Sequence, residues 1–249
     1  MNFDFSDDQK LLKEQVRKFL ADKCPMTVTR RVLEKEEPYA AEVWKGLVEM
    51  GLTGTAIPEE FGGLGLGALE LCVIAEELGR AAAPVPFSSS IYLAAEAIRL
   101  FGTKKQKETW LPKLASGEII GTLAVAEGTH AAHPRNIAVR LSGGKVNGVK
   151  QPVVDGAAAS VAIVAVNTGG SGEQAVSLAI VDLKAGGVSR AGRSFRACST
   201  APPCSSPSNR SAAPKPHSKW PATMRWSAMP SAARSAPTRR SSTSWPTCM

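Results

Sequence analysis

The sequence predicts an α+β protein, in which an all-α N-terminal domain over residues 1–118 precedes an antiparallel β domain over residues 119–189. Apolar residues recur at helical spacing as far as Gly117, and short apolar runs rich in branched residues follow from Ile119. Helices followed by hairpin-linked strands are typical of an α layer joined to a β layer. Residues 190–249 are predicted to be a disordered, low-complexity tail.

The five predicted helices begin and end at recognisable signals. Ser6 with Gln9 is a capping box in front of the first helix. Thr103 with Gln106 is a second capping box, in front of the fifth helix. We expect the helices over residues 7–24, 40–50, 68–80, 88–101 and 104–117, with three serines capping the fourth.

A glycine-rich loop joins the second and third helices. Pro58 ends any preceding helix, and the glycines from Gly62 to Gly67 alternate with leucines, which cannot form a helix at low cost. From Ala68 the apolar residues return at helical spacing. The loop is predicted to be structural and not a phosphate site, because no strand precedes it and no Lys-Ser/Thr follows it.

The predicted strands of the second domain are short and bounded by turn residues. The segment from Ser142 to Lys145 contains two glycines and is a hairpin signal between two of the strands. We expect strands over residues 119–126, 137–141, 146–154, 160–166 and 175–182.

The tail differs from the rest of the chain in composition and charge. Residues 189–249 contain no Val, Ile or Leu, so they cannot bury enough apolar surface to offset their ordering entropy. No Asp or Glu follows Asp182, whereas eleven of the thirty Lys and Arg do, which leaves nineteen bases against twenty-two acids before that point. Nucleic-acid binding by the tail is an alternative function, but Arg239–Arg240 is the tail's one basic cluster, so it is not expected.

Several classes of protein do not fit the composition. The five cysteines are scattered and do not form a disulfide framework, which favours a reducing cytoplasm. No apolar run approaches the roughly 18 residues that a membrane helix needs, and the acidic start of the chain is unlike a signal peptide. His130 and His133 lie in a predicted loop without a third ligand, so no metal site is expected.

Six segments, taken together in their order and spacing, resemble the acyl-CoA dehydrogenase family over about residues 3–188. Each segment is weak evidence by itself, whereas the order and spacing of all six are specific. The segments are Phe3–Phe19, Trp44–Gly54, Ile57–Gly65, Glu76–Arg80, Gly102–Lys107 and Trp110–Glu118.

The resemblance implies a flavoenzyme with FAD as its cofactor and an acyl-CoA thioester as its substrate. In this family a glutamate base removes the α-proton while the β-hydride passes to the flavin, and hydrogen bonds to the thioester carbonyl stabilise the developing enolate charge. It also implies an electron acceptor of the electron-transfer-flavoprotein type and a homo- or hetero-oligomer. The base belongs to the family's C-terminal domain, so no residue of this sequence is assigned as catalytic.

The resemblance places the flavin contacts in two segments and one substrate contact at Ala132. The predicted flavin-contact residues are Leu123, Val125, Ala126, Glu127, Pro152 and Val154.

Both segments depart from the family's pattern. Ala126 stands where a hydroxyl is expected and Ala132 stands near an expected serine, while Pro152 replaces a Trp and Val154 replaces a Thr. Backbone N–H contacts to FAD at residues 125–127 would persist. Two other interpretations stay open: strands that only maintain the fold, and a non-catalytic partner subunit of a heteromeric dehydrogenase.

The tail is compatible with a shifted reading frame. Residues 210–249 read back by one base permit an amphipathic helical peptide that resembles the start of the family's C-terminal domain. This favours a frameshift, natural or from sequencing, between about residues 190 and 209. The sequence then predicts an inactive or impaired truncated product.

Overall fold

The computed structural model describes residues 5–129, 133, 136–169, 175–185, 187–191 and 194–200, with the backbone alone from residue 189 onward. Within these residues, helices are followed by strands, which confirms the predicted fold class. The helices are α1 (Asp7–Lys23), α2 (Met26–Leu33), α3 (Ala41–Glu49), α4 (Ala68–Arg80), α5 (Glu96–Phe101) and α6 (Lys104–Ala115). The strands are β1 (Gly121–Ala124), β2 (Arg140–Ser142), β3 (Lys145–Lys150), β4 (Val161–Asn167), β5 (Val176–Asp182), β6 (Val188–Ala191) and β7 (Ser194–Thr200).

Local sequence signals located the helix starts well. Both capping boxes are present: Ser6 with Gln9 precedes α1, and Thr103 with Gln106 precedes α6. Helix α2, which follows Pro25, was not predicted. In a capping box, two side chains three residues apart bond each other's backbone N–H groups. The signal is therefore local and can be recognised in the sequence.

The fourth predicted helix begins with a π-helical segment over Ser88–Ala95, which continues into α5. The serines predicted to cap this helix have another role, because Ser89 and Ser90 are fully buried within it. The Ser89 hydroxyl donates to Asp155 Oδ2 at 2.7 Å, and Ser90 Oγ accepts the N–H of Gly121 at 3.1 Å. The two serines therefore join the helical layer to the start of β1 and to the turn after β3.

The glycine-rich loop packs against the main chain of residues 54–57, which precede it in the sequence. The N–H groups of Leu64 and Gly65 donate to the carbonyls of Gly54 and Ile57, both at 2.9 Å. A Cβ atom at Gly63 would collide with the carbonyl oxygen of Ile57. Glycine is required there because two main-chain segments lie in contact.

The sheet is mixed. Two antiparallel pairs join predicted strands, β2 with β3 and β4 with β5, and two further antiparallel pairs, β3 with β7 and β6 with β7, were not predicted. Strand β1 instead lies parallel to β4, and one residue pair joins β2 to β4 in the parallel sense. A parallel pair needs a long crossover connection, and the β2–β3 hairpin lies in the connection between β1 and β4.

Strands β6 and β7 extend the sheet past the predicted boundary at residue 189. Residues 194–200 pair with β3 along its whole length, from Lys145 opposite Thr200 to Lys150 opposite Phe195. Main-chain pairing of this kind needs no Val, Ile or Leu, so the composition of the tail did not reveal it. Both strands include residues that the sequence analysis placed in the tail, whose bounds stay a prediction, and residues 201–249 lie outside the described residues.

Two clusters of buried apolar side chains connect the helices to the sheet. One cluster contains Leu47 of α3 together with Val164 of β4. The other contains Ile98 of α5 and Leu114 of α6 together with Ile163 of β4. Helices and sheet belong to one compact unit, and the division into two domains at residue 118 stays a prediction.

A buried carboxylate connects α1 to α4. Glu77 is fully buried and accepts two hydrogen bonds from Arg17, at 2.7 and 3.0 Å, and one from Arg80 at 2.8 Å. The hydrogen bonds from Arg17 lower the pKa of Glu77 from its usual 4.5 to about 2, against the opposing effect of burial. The charged form of Glu77 is therefore part of the folded state.

We expect Gly63→Ala to lower the free energy of unfolding by about 3 kcal/mol, because the new methyl group has no space. Gly79→Ala is the matched control, since Gly79 lies in α4 with no atom near the position of a Cβ. It should raise the free energy of unfolding by about 0.5–1 kcal/mol. Urea unfolding measures both, and equal effects of the two substitutions would contradict the packing of the loop.

We expect the stability of the protein to fall in acid because of Glu77. Its pKa is depressed in the folded state, so its contribution is complete above pH 4.5 and is lost as the pH falls towards about 2. Glu77→Gln should cost about 2 kcal/mol at neutral pH and flatten this part of the pH profile. Thermal unfolding from pH 7 to pH 2 measures both effects, and an unchanged acid limb in the variant would contradict the role of Glu77.

Candidate functional site

The candidate site lies where the chain leaves β1 and β3. We define the β1–β3 junction as residues 125–128 and 150–154. The N–H of Gln151 donates to the carbonyl of Ala126 at 2.9 Å, and the N–H of Gly128 donates to the carbonyl of Gln151 at 2.6 Å. The Thr122 hydroxyl donates to the carbonyl of Val154 at 2.6 Å. Two segments that are distant in sequence are thus joined by main-chain contacts.

A buried ion pair lies at the centre of the junction. Lys150 is 0% exposed and Glu127 is 15% exposed, and Lys150 Nζ lies 2.6 Å from Glu127 Oε1. The ammonium group also donates to the carbonyl of Val125 at 3.0 Å. The Glu127 carboxylate accepts the N–H groups of Ala138 at 2.7 Å and of Val139 at 3.2 Å. The pair therefore connects the ends of β1 and β3 to the segment that leads into β2.

Both members of the pair have perturbed pKa values. Burial lowers the pKa of Lys150, and the bond to Glu127 offsets this only in part. Burial raises the pKa of Glu127, but the hydrogen bonds from Lys150, Ala138 and Val139 outweigh it, so the pKa lies below its usual value. The carboxylate is therefore an acceptor held by fixed donors.

The structure places six of the seven predicted site residues in or beside the junction. Leu123 lies in β1 and is partly buried in the core beneath it. Val125, Ala126 and Glu127 follow β1 and are partly buried, whereas Pro152 and Val154 are exposed. Ala132 lies outside the described residues, as does His130. The predicted flavin contacts are brought together, and their role as ligands stays a prediction.

The family model of the acyl-CoA dehydrogenase N-terminal domain matches residues 6–118. Residues 6–118 are therefore an N-terminal domain of the acyl-CoA dehydrogenase family.

Relatives and solved structures agree with this assignment. A mitochondrial isovaleryl-CoA dehydrogenase of Arabidopsis thaliana is 36% identical over 170 residues, which are 66% of this chain and 42% of the relative. An acryloyl-CoA reductase (NADH) of Anaerotignum propionicum is 38% identical over 128 residues, which are 51% of this chain and 32% of that protein. An acyl-CoA dehydrogenase complexed with FAD from Bacillus anthracis has a TM-score of 0.69 at 27% identity, covering 80% of this chain and 37% of that one. The chain thus spans less than half the length of these proteins.

The junction offers apolar side chains and main-chain groups, the two kinds of contact that a flavin ring could use there. Pro152 and Val154 are exposed apolar residues that follow Gln151, whose main chain pairs with Ala126, and a cofactor site is expected to be mostly apolar. The charged side chains of Lys150 and Glu127 already have partners within the protein. Side-chain hydroxyls are missing at the positions where the family pattern has them.

The predicted site residues did not include Lys150, Gln151 or Thr122, which the structure places in or beside the junction. The alternation of buried and exposed side chains along β3 could have indicated that Lys150 is buried. Val146 and Lys150 lie four residues apart, so their side chains face the same side of the strand, and both are buried. A lysine at an inward position of a strand requires a carboxylate partner. That partner lies 23 residues away in the sequence, so only the fold identifies it.

Two cavities also lie in the described part of the chain, and Val153 of the junction lines the larger one. A cavity of about 480 Å³ lies between the segment after α2 and the turn after β3, and another of about 230 Å³ lies beside the end of α4. Among the described residues, no group of three or more His, Cys, Asp and Glu could hold a metal ion. No helix in the described part of the chain has both the length and the apolar character needed to cross a membrane.

Proposed function

We propose that the chain is part of an acyl-CoA dehydrogenase-type flavoprotein and that the β1–β3 junction contacts its FAD. The observation that carries the proposal is the main-chain pairing of Gln151 with Ala126 and Gly128. It joins the two segments that the family resemblance assigns to the flavin. The reaction is the α,β-dehydrogenation of an acyl-CoA thioester, in which FAD accepts the β-hydride.

The residues of the junction would hold the flavin weakly. Val125 and Ala126 offer main-chain groups and a partly apolar surface, and Pro152 lacks a backbone N–H donor. Val154 and Ala126 have no hydroxyl to donate to the ring. A typical hydrogen bond contributes about 1 kcal/mol, so each missing donor would weaken binding about fivefold.

The 249-residue chain by itself is proposed to be inactive or impaired. No residue of this sequence is assigned as the α-proton base, and an α-proton leaves only when a base and carbonyl hydrogen bonds act together. We propose a cytoplasmic location from the cysteine content, and an electron acceptor of the electron-transfer-flavoprotein type.

The altered junction also supports a second candidate, a non-catalytic partner subunit of a heteromeric acyl-CoA dehydrogenase. The loss of hydroxyls at Ala126 and Val154 would matter less in a subunit that holds no flavin of its own. Co-expression with a second dehydrogenase chain distinguishes the two candidates, because a partner subunit would purify in a stoichiometric complex.

We expect the purified chain to contain less than stoichiometric flavin and to bind added FAD weakly but saturably, without turnover of acyl-CoA. The increase in flavin fluorescence anisotropy during a titration measures the binding. Stoichiometric yellow protein that oxidises an acyl-CoA would contradict the proposed weak site, and absence of saturable binding would contradict the flavin site itself.

A gain of affinity tests the location of the site. Val154→Thr adds a hydroxyl with little change of shape, and it should tighten FAD binding about fivefold. Val149→Thr is the matched control, because Val149 is exposed (39%, against 57% for Val154) but lies within β3 outside the junction. Equal affinities in the two variants would contradict a flavin contact at Val154.

A further inference from the structure

The buried ion pair of Lys150 and Glu127 contributes more than stability. Transfer of two charges from water costs several kcal/mol each, and apolar residues of similar shape often stabilise a fold as well or better. A fully buried lysine is therefore weak evidence for a stabilising role. Its role is better explained by the relative position of the two segments that it connects.

The pair fixes the register between the two segments of the junction. Lys150 Nζ reaches the carbonyl of Val125 and the carboxylate of Glu127, so one side chain holds two alternate residues of the opposite segment. The next residue, Gln151, makes the main-chain contacts to Ala126 and Gly128. In the observed register Gln151 lies opposite Glu127 as a parallel bridge partner. A slip by one residue would place Lys150 or Pro152 there and would reverse which side chains face outward.

Glu127 extends this constraint to a third segment. Both of its carboxylate oxygens accept main-chain N–H groups from Ala138 and Val139, which lie before β2. Hydrogen bonds to a charged acceptor are stronger and shorter than neutral ones, so this contact orients the carboxylate firmly. A carboxylate with these partners has little capacity left for a ligand.

We propose that Lys150 and Glu127 are positioning residues, which set the register of the β1–β3 junction and thereby place its flavin-contact residues. This rests on the proposed function, because it assigns the ion pair a task at the same flavin site. The carboxylate of Glu127 acts through Val125, Ala126 and Pro152 and does not touch the flavin, which leaves the predicted main-chain contact at Glu127 unchanged. A site held by such supporting contacts loses affinity when they are removed, even when the fold survives.

The test uses the full 249-residue chain with Glu127→Gln and Lys150→Met, singly and together. The double variant keeps the shapes of both side chains and leaves no unpaired charge, so it should fold with near wild-type stability. Glu77→Gln is the control, because it also breaks a buried ion pair but lies in α4, away from the junction. Two quantities are measured: the FAD dissociation constant, and the hydrogen exchange rates of the Gly128 and Gln151 amides.

We expect the double variant to bind FAD about tenfold more weakly, the lower end of the loss seen when supporting contacts behind a metal ligand are removed. The Gly128 and Gln151 amides should exchange faster, although neither touches the ion pair directly. The control Glu77→Gln should change neither quantity, even if it lowers stability more.

Each other outcome overturns the inference in an identifiable way. Weaker FAD binding with unchanged amide exchange would make the pair a direct flavin ligand. Faster amide exchange with unchanged FAD binding would show that the register of the junction does not affect the flavin. If both quantities stay unchanged, the pair has no positioning role. A wild-type chain that does not bind FAD contradicts the proposed function itself and with it the task assigned to the pair.

Discussion

The contact between Lys150 and Glu127 determines how the three segments of the candidate site fit together. The ammonium holds the end of β1 through Val125 and Glu127, while the carboxylate holds the chain before β2 through Ala138 and Val139. A charge in this position must keep its partner, because an unpaired buried charge is far costlier than a lost hydrogen bond. The ion pair therefore constrains the relative position of these three segments.

The helical layer supports the junction from the other side. Ser90 holds the first residue of β1, and Ser89 holds Asp155, which directly follows the junction. Asp155 has a φ of 51°, a left-handed conformation that is uncommon for residues other than glycine. Because both serines belong to one π-helical segment, a single element of the helical layer positions both segments of the site.

Much of the fold could be predicted because its signals are local. The capping boxes, the glycine-rich loop and the hairpin turn at Ser142–Lys145 each involve residues that are close in sequence. The parallel pairing of β1 with β4 and the pairing of β7 with β3 could not be predicted, because main-chain pairing between distant segments leaves no mark on the side chains. The π-helical segment was also missed, since its serines look like a helix cap in the sequence.

The candidate site was predicted in its location more than in its chemistry. The family resemblance identified the segments around Ala126 and Pro152, and the structure brings these segments together. The ion pair of Lys150 depends on a partner 23 residues away in the sequence, so no local pattern predicted it. The missing hydroxyls at Ala126 and Val154 are visible in the sequence, but their effect on affinity depends on the contacts that the flavin makes.

The β1–β3 junction is the proposed contact surface for FAD. Amide chemical shifts of the isotope-labelled chain, recorded by NMR during addition of FAD, test it most directly because they locate the bound molecule without requiring activity. If the junction contacts FAD, the largest changes in amide shift fall within residues 125–128 and 150–154. Saturable changes confined to other residues, such as those around the cavity beside the end of α4, would contradict it.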